Sequence, residues 1–399
     1  MQRKRLDSWK SIAEYLQRST RTAQRWHAAH GLPIHHLPGE KGAAFAYADE
    51  IDAWLPTVSR LQANQSATSG TSAAAISRAN LLLATANQLW QIRSERNIHS
   101  ISKLYREAID EDPANVDAFI GLANTLIFAC IHGMLAGAVG YPRAQEALHR
   151  ISGAEPLNLD ARCCAAWLDL VWKRKWERAR AAFEHVLLEE PRNTSALFGK
   201  AMLCIAEGRL VEALDLSWEA WGLNTLVEPL SAMLCWIPYL EGKYHKALQQ
   251  ISDVRVSGAY GATYAAIEAL ALIQTDSLRP HLERFEALTY DYPNDRTLDG
   301  VLGYVYAKSG DGERAHTTIQ QLRSDPKNTA YAAALVWIGL NRHEEALHSL
   351  KACYASGSRW SFGFRADPML KPLTRNAQFA ALLERAGPRR ANPASGNGG

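Results

Sequence analysis

The sequence predicts a mostly α-helical chain, a small helical module with a short β-hairpin followed by an α-solenoid of paired helices. Three observations predict it. Residues 1–56 are dense in Trp, Arg and turn-forming residues. Residues 78–386 show helical apolar periodicity with short breaks. Within that second region small residues recur every 34 positions.

The module can be justified element by element. Trp9, Ile12, Ala13 and Leu16 fall at i, i+3, i+4 and i+7, one face of a helix that Asp7 or Ser8 can cap. The turn "QRST" follows, and Ser19 can cap a second helix on which Ala23 and Trp26 point inward. Gly31 ends that helix and Pro33 prevents its resumption. Two short helices joined by a tight turn make a helix-turn-helix. Next, Ile34 and His36 face Phe45 and Tyr47 across "PGEKG", a small hairpin. "ADEIDAWL" then closes the module as a helix with Ile51, Trp54 and Leu55 inward. The stretch 57–77 is small and polar and reads as a flexible linker, and 387–399 as a disordered tail.

The repeats follow from register. Ala179, Ala213, Ala247 and Ala315 keep steps of 34 or twice 34, with His281 at the skipped position. Ala201, Cys235, Ala269 and Gly303 form a second series, and Pro191 and Pro293 lie three periods apart. Small residues let two helices cross closely, and proline stops the second helix of each unit. One such unit cannot bury its own apolar face, so units must stack. This is the tetratricopeptide (TPR) pattern, with about seven repeats and a degenerate eighth near residues 329–360. The step of 43 from Pro113 to Pro156 marks an insertion in the second repeat.

Two resemblances sharpen this. "SIAEYL", "STRTAQRW", "GLP" and "FAYADEIDAWL", in that order over about residues 6–56, resemble the excisionase/MerR-like winged helix-turn-helix. The resemblance implies double-stranded DNA as partner, with Thr20, Arg21, Gln24 and Arg25 facing the major groove. Arg21 and Gln24 would discriminate bases, since Arg pairs bidentately with guanine and Gln with adenine. Arg3, Lys4 and Arg5 on the arm and Lys41 on the hairpin tip would contact phosphates. "KLYREAIDEDPANVDAFIGLANTL", "RKWERARAAFEHVLLEEPRN" and "RADPMLKPLTRNAQFAALLER" resemble the TPR sensor region found behind varied bacterial output domains, the last segment its C-terminal cap. That resemblance covers roughly 79–386 and implies a regulatory or scaffolding role without catalysis.

Charge agrees with this division. The whole chain of 399 residues carries only +3, but residues 1–31 hold seven basic and two acidic side chains. Six cysteines without a CxxC, and a basic start with no apolar region after it, point to reduced thiols in a cytoplasmic protein. The most apolar run, "LIFACIHGMLAGAVG", is short for a membrane span. His27, His30, His35 and His36 lack the spacing of a metal site. "HEEALH" puts its histidines five apart, where a zincin needs four. No catalytic constellation and no cofactor motif emerges, so no enzyme is expected.

A ladder of Trp167, Met202, Trp236, Leu270 and Tyr304 at steps of 34–35 would face the concave groove and suit an apolar helix or peptide, or else pack between repeats. The expected protein is thus a cytoplasmic, bacterial-type DNA-binding transcriptional regulator. Its repeats would receive a protein or peptide signal or assemble the chain, dimerisation supplying a second half-site. The alternative is a non-catalytic TPR scaffold whose winged module docks on protein.

Overall fold

The computed structural model describes residues 4–16, 20–36, 44–55, 73–94, 97–151, 158–223, 228–256, 260–275, 281–325 and 329–388. The chain divides into two compact units, Met1–Asn80 with Glu111–Ala114, and Leu81–Asp110 with Asn115–Gly399.

The first unit runs β1 (Arg5–Leu6), α1 (Trp9–Tyr15), α2 (Thr20–His30), β2 (His35–His36), β3 (Ala44–Tyr47) and α3 (residues 48–55). Ser8 caps α1, its hydroxyl accepting the Ser11 N–H at 3.1 Å. Gly31 ends α2 in the left-handed region at φ 65°. The strands form an antiparallel sheet in the order β1-β3-β2, with Leu6 opposite Ala46 and His35 opposite Phe45. Arg5, expected with Arg3 and Lys4 on a basic arm, is part of an edge strand. Burial of its neighbour Leu6 is the physical reason. Ile12, Ala13, Leu16, Ala23, Trp26, Leu32, Ala46 and Ile51 make the core, and Trp54 packs on Trp26 with ring centroids 5.6 Å apart. The expected turn at Gln17–Ser19 and the hairpin tip Pro38–Gly42 lie outside the described residues.

The second region is a succession of helix pairs. They are α4 (Ala73–Trp90) with α5 (Ile98–Glu111), α6 (Val116–Ile131) with α7 (Gly137–Ile151), and α8 (Leu159–Val171) with α9 (Trp176–Glu189). Next come α10 (Thr194–Glu207) with α11 (Leu210–Leu223), α12 (Glu228–Leu240) with α13 (Tyr244–Val256), and α14 (Ala262–Ile273) with α15 (Leu282–Asp291). The last are α16 (Arg296–Lys308) with α17 (Gly312–Ser324) and α18 (Ala330–Gly339) with α19 (His343–Ala355). This is a TPR-like architecture. Ala179, Ala213, Ala247 and Ala315 are fully buried, as are Ala201 and Ala269. The turns carry a further local code: Asn115, Asn193 and Asp295, each two residues after a proline, cap α6, α10 and α16 through their side chains. The apolar run from Leu126 to Gly140 is the end of α6, a short turn and the start of α7. Among the described residues no helix is long and apolar enough to cross a membrane.

Two boundaries differ from the sequence reading. The expected linker 57–77 lies outside the described residues up to 72, and 73–77 belong to α4, where three successive alanines favour helix. Of the expected tail, 387 and 388 are buried, because Gly387 comes so close to Ala206 that a Cβ would stand 2.6 Å from its carbonyl oxygen. Residues 389–399 lie outside the described residues.

After α19 the chain makes two 3-10 turns, Arg359–Phe362 and Pro368–Leu373, before α20 (Ala377–Arg385), which packs against α19. Residues 365–385, which resemble a C-terminal cap, belong to a longer segment whose residues 357–367 reach back across earlier repeats. Tyr141 on α7 donates to Gly357 O at 3.0 Å, and Arg174, in the α8–α9 turn, donates to Tyr354 O at 2.7 Å and Ser361 Oγ at 3.0 Å. Asp367 accepts the hydroxyls of Tyr239 on α12 at 2.8 Å and Tyr331 on α18 at 2.6 Å.

Candidate functional site

On α2, burial of Ala23 and Trp26 against the core determines which side of the helix is free. Thr20 and Gln24 are exposed, one turn apart. Arg21 and Arg25 lie on the same helix, with side chains outside the described residues. No acidic residue stands in the first turn of α2, so the partial positive charge of its N-terminus is not offset there. His27 Nδ1 lies 2.8 Å from Leu32 O, to which its N–H donates, tying the end of α2 to the connection that leads into β2.

The remaining expected contacts divide. Lys4 is exposed, its ammonium 5.3 Å from the centre of the Tyr15 ring. Arg5 is exposed but engaged, ion-paired with Asp7 and 4.9 Å from the Phe45 ring. Arg3 and Lys41 lie outside the described residues. Tyr15 donates to the Asp52 carboxylate at 2.9 Å, and that hydrogen bond raises the phenol above its ordinary pKa. Among the described residues no group of three or more His, Cys, Asp or Glu could hold a metal ion.

In the repeats the expected ladder is split. Trp167, Met202 and Trp236 line a narrow cleft of about 30 Å³. Leu270 is fully buried in the interior, and Tyr304 is half-buried beside Lys308. The cleft has a roof from the chain's own C-terminal segment. Trp360 meets Trp236 edge-on at 5.6 Å, stacks on Tyr331 at 5.0 Å and donates its indole N–H to Thr297 Oγ1 at 3.1 Å. Arg359 donates to His132 Nδ1 at 2.7 Å and Thr263 Oγ1 at 3.0 Å. The five residues thus divide between the two expected places, a groove-lining set of Trp167, Met202 and Trp236 and a packed Leu270, and part of the groove surface is covered in cis.

Sequence reasoning missed this roof because it joins positions more than 200 residues apart, such as His132 and Arg359. It also missed an exposed series, Leu188, Val256 and Tyr290, each more than 79% accessible at 80%, 88% and 86%. These keep steps of 34 or twice 34 on the second helices α9, α13 and α15, with Gly222 at the skipped position on α11, so the signal was present in the sequence. The six cysteines are buried, and burial pushes Cys163, Cys235 and Cys353 up to about 12, which removes them as nucleophiles.

No family model and no curated protein matches the chain. Among solved structures it is similar to the Cut9–Hcn1 hetero-tetramer of the APC/C, with TM-score 0.49 and 16% identity over 77% of this chain and 55% of that one. It thus spans about half the length of that relative. It is also similar to a tetratricopeptide repeat protein from Parabacteroides merdae, at TM-score 0.42 and 15% identity over 71% of this chain and 98% of that one. A third is the human IFIT1 dimer solved with m7Gppp-AAAA, at TM-score 0.38 and 14% identity over 95% and 80%. None of the three reaches a TM-score of 0.5, so the repeat architecture rests on the chain's own helix register.

Proposed function

We propose that the chain is a DNA-binding transcriptional regulator, with a winged helix-turn-helix at residues 1–56 and a TPR region that receives a signal or assembles the protein. The observation that carries this reading is α2: anchored by Ala23 and Trp26, it leaves Thr20 and Gln24 free, with Arg21 and Arg25 beside them in sequence. Two helices, an antiparallel hairpin and a closing helix in that order support it, as does the excess of seven basic over two acidic residues in 1–31. In this reading Thr20, Arg21, Gln24 and Arg25 face the major groove, Arg21 and Gln24 reading bases, while Arg3, Lys4 and Lys41 contact the backbone. Arg5 contributes less, because Asp7 already neutralises it.

The test is selection from random duplex DNA with the purified full-length chain, followed by a salt titration on the enriched duplexes. The expected result is a short motif whose enrichment is lost with Arg21→Ala, at a cost of about 1–3 kcal/mol for one bidentate base contact. Lys4→Ala should weaken all sequences alike and flatten the salt slope. Selection without any enriched motif would overturn the reading. It would leave the rival, a scaffold whose first module docks on protein, which one observation favours: the exposed apolar series Leu188, Val256 and Tyr290.

A further inference from the structure

Residues of α15, α16 and α17 line a groove of about 680 Å³, more than twenty times the volume of the narrow cleft at Trp236. Asp299, Leu302 and Tyr306 enter it from α16 at steps of three and four, one face of that helix. Asp299 and Tyr306 are seven residues apart, about 10 Å along the helix axis. Asp311 stands at the Tyr306 end, its N–H donating to Tyr306 O at 2.9 Å. The groove thus has a carboxylate towards each end and the half-buried Leu302 between them.

Its polarity is one-sided. Among the described residues the wall holds three carboxylates, Asp299, Asp311 and Glu313, and one guanidinium, Arg314. Arg314 is engaged at the Tyr306 end, 3.3 Å from the Asp311 carboxylate and 5.2 Å from the Tyr306 ring. At the other end Arg296 serves two carboxylates, Asp299 at 2.9 Å and Asp325 at 2.5 Å. The hydroxyls add acceptors. Thr289 donates to Phe285 O at 2.9 Å, Thr317 to Glu313 O at 3.0 Å and Thr318 to Arg314 O at 2.9 Å. Tyr306 donates to the Glu286 carboxylate at 3.2 Å. Each of these hydroxyl protons is used within the chain, so what the oxygens offer the groove is lone pairs.

We propose that this groove binds a linear aliphatic polyamine. One end ammonium sits on Asp299, the other on Asp311 and Glu313, and the methylene chain crosses Leu302. A polyamine carries donors and no acceptors, which matches a wall of carboxylate and hydroxyl oxygens. A peptide matches it less well, because every peptide unit brings a carbonyl that needs a donor. Among the described residues the side-chain donors of the wall are the engaged Arg314 and the Gln321 amide. The volume lies within the range of small-molecule sites. Length selects among amines: the triamine spermidine spans about the distance between the two ends, and the diamine putrescine stops short. The proposal gives the repeat region a ligand class independent of the N-terminal unit, so this experiment and the DNA selection can fail separately.

The test is calorimetric titration of the full-length chain, free of nucleic acid, at one fixed ionic strength. The titrants are spermidine, putrescine, magnesium chloride and an acetylated trilysine amide, which carries the same charge as spermidine. Spermidine should bind saturably at one site per chain, ten-fold or more tighter than each of the others. Asp299→Asn should reduce that affinity about ten-fold. Thr317→Arg, on the exposed side of α17, puts a long cationic side chain into the groove and should abolish the binding with the melting temperature unchanged. Should Asp299→Asn fail to fold, Thr317→Arg decides. Absence of saturable spermidine binding, equal affinity for magnesium or putrescine, or unchanged affinity in folded Thr317→Arg would each overturn the site. Tighter binding of the trilysine amide would overturn it in favour of a basic protein segment.

Discussion

At the scale of the residue, burial and hydrogen bonding compete, and Asp367 shows which prevails. It accepts from Tyr239, Tyr331 and the Met369 N–H, yet burial holds its carboxyl above the usual carboxylate range. Asp295 is raised for the same reason, against the pull of Arg359. A carboxyl with a raised folded-state pKa binds its proton more tightly in the native than in the unfolded chain. Its contribution is full below the unfolded value and is lost as pH rises through the folded one. Asp367→Asn removes that contribution. The variant should therefore lose less melting temperature than the parent as pH rises from about 4, the ordinary carboxyl value, towards neutrality. Parallel thermal melts across that range check this, and curves of equal slope would refute it.

At the scale of the element, the repeat register becomes packing distance. A Cβ on Gly300 would stand 2.5 Å from the Cα of Ala332, so α16 and α18 touch through their backbones. Gly222 on α11 has nothing within 4 Å of the same position. Replacing glycine by alanine in a helix gains about 1 kcal/mol of propensity. Overpacking against a backbone costs about 1–3 kcal/mol and wins at Gly300. Urea unfolding should show Gly300→Ala destabilised and Gly222→Ala neutral or stabilised. The pair α14 with α15, where His281 replaces the small residue of the series, is held in a different way. Glu268 on α14, 7% exposed, takes the Arg284 guanidinium at 3.0 Å and also meets Arg255 and Tyr260. That charge cluster sits where His281 interrupts the alanine series, a compensation the 34-residue period does not announce.

At the scale of the whole molecule, the repeat region departs from a simple stack. In a repeat array each unit contacts its neighbours, and stability adds along the chain. Here residues 357–367 connect Tyr141, Arg174, Tyr239 and Tyr331, which belong to pairs early, central and late in the array. Such long-range ties couple the units. Trp360→Ala should cost about 3–5 kcal/mol, the range for removing a buried large aromatic. It should also lower the urea m-value or split the transition, because the early pairs lose their tie to the late ones. A single transition of unchanged slope would show that the segment is a passive plug.

Much of this was legible in the sequence because it is local or periodic. Ala23, Trp26 and Ile51 had to be inside because helical spacing put them on one face, and the structure buries them. The helix pairs follow from small residues at fixed steps, and Asn193 or Asp295 marks a helix start by hydrogen-bonding its own backbone. The free side of α2 was readable as the complement of its buried one, which makes Thr20 and Gln24 candidates and leaves their role to the DNA selection. What only the tertiary structure decided is where Arg359 and Trp360 lie, and with them the shape of the cleft at His132. Their hydrogen-bond partners are more than 60 residues away, as with Thr297 and Trp360. No periodicity reports such a pairing, because it depends on the curvature accumulated over all the intervening helix pairs.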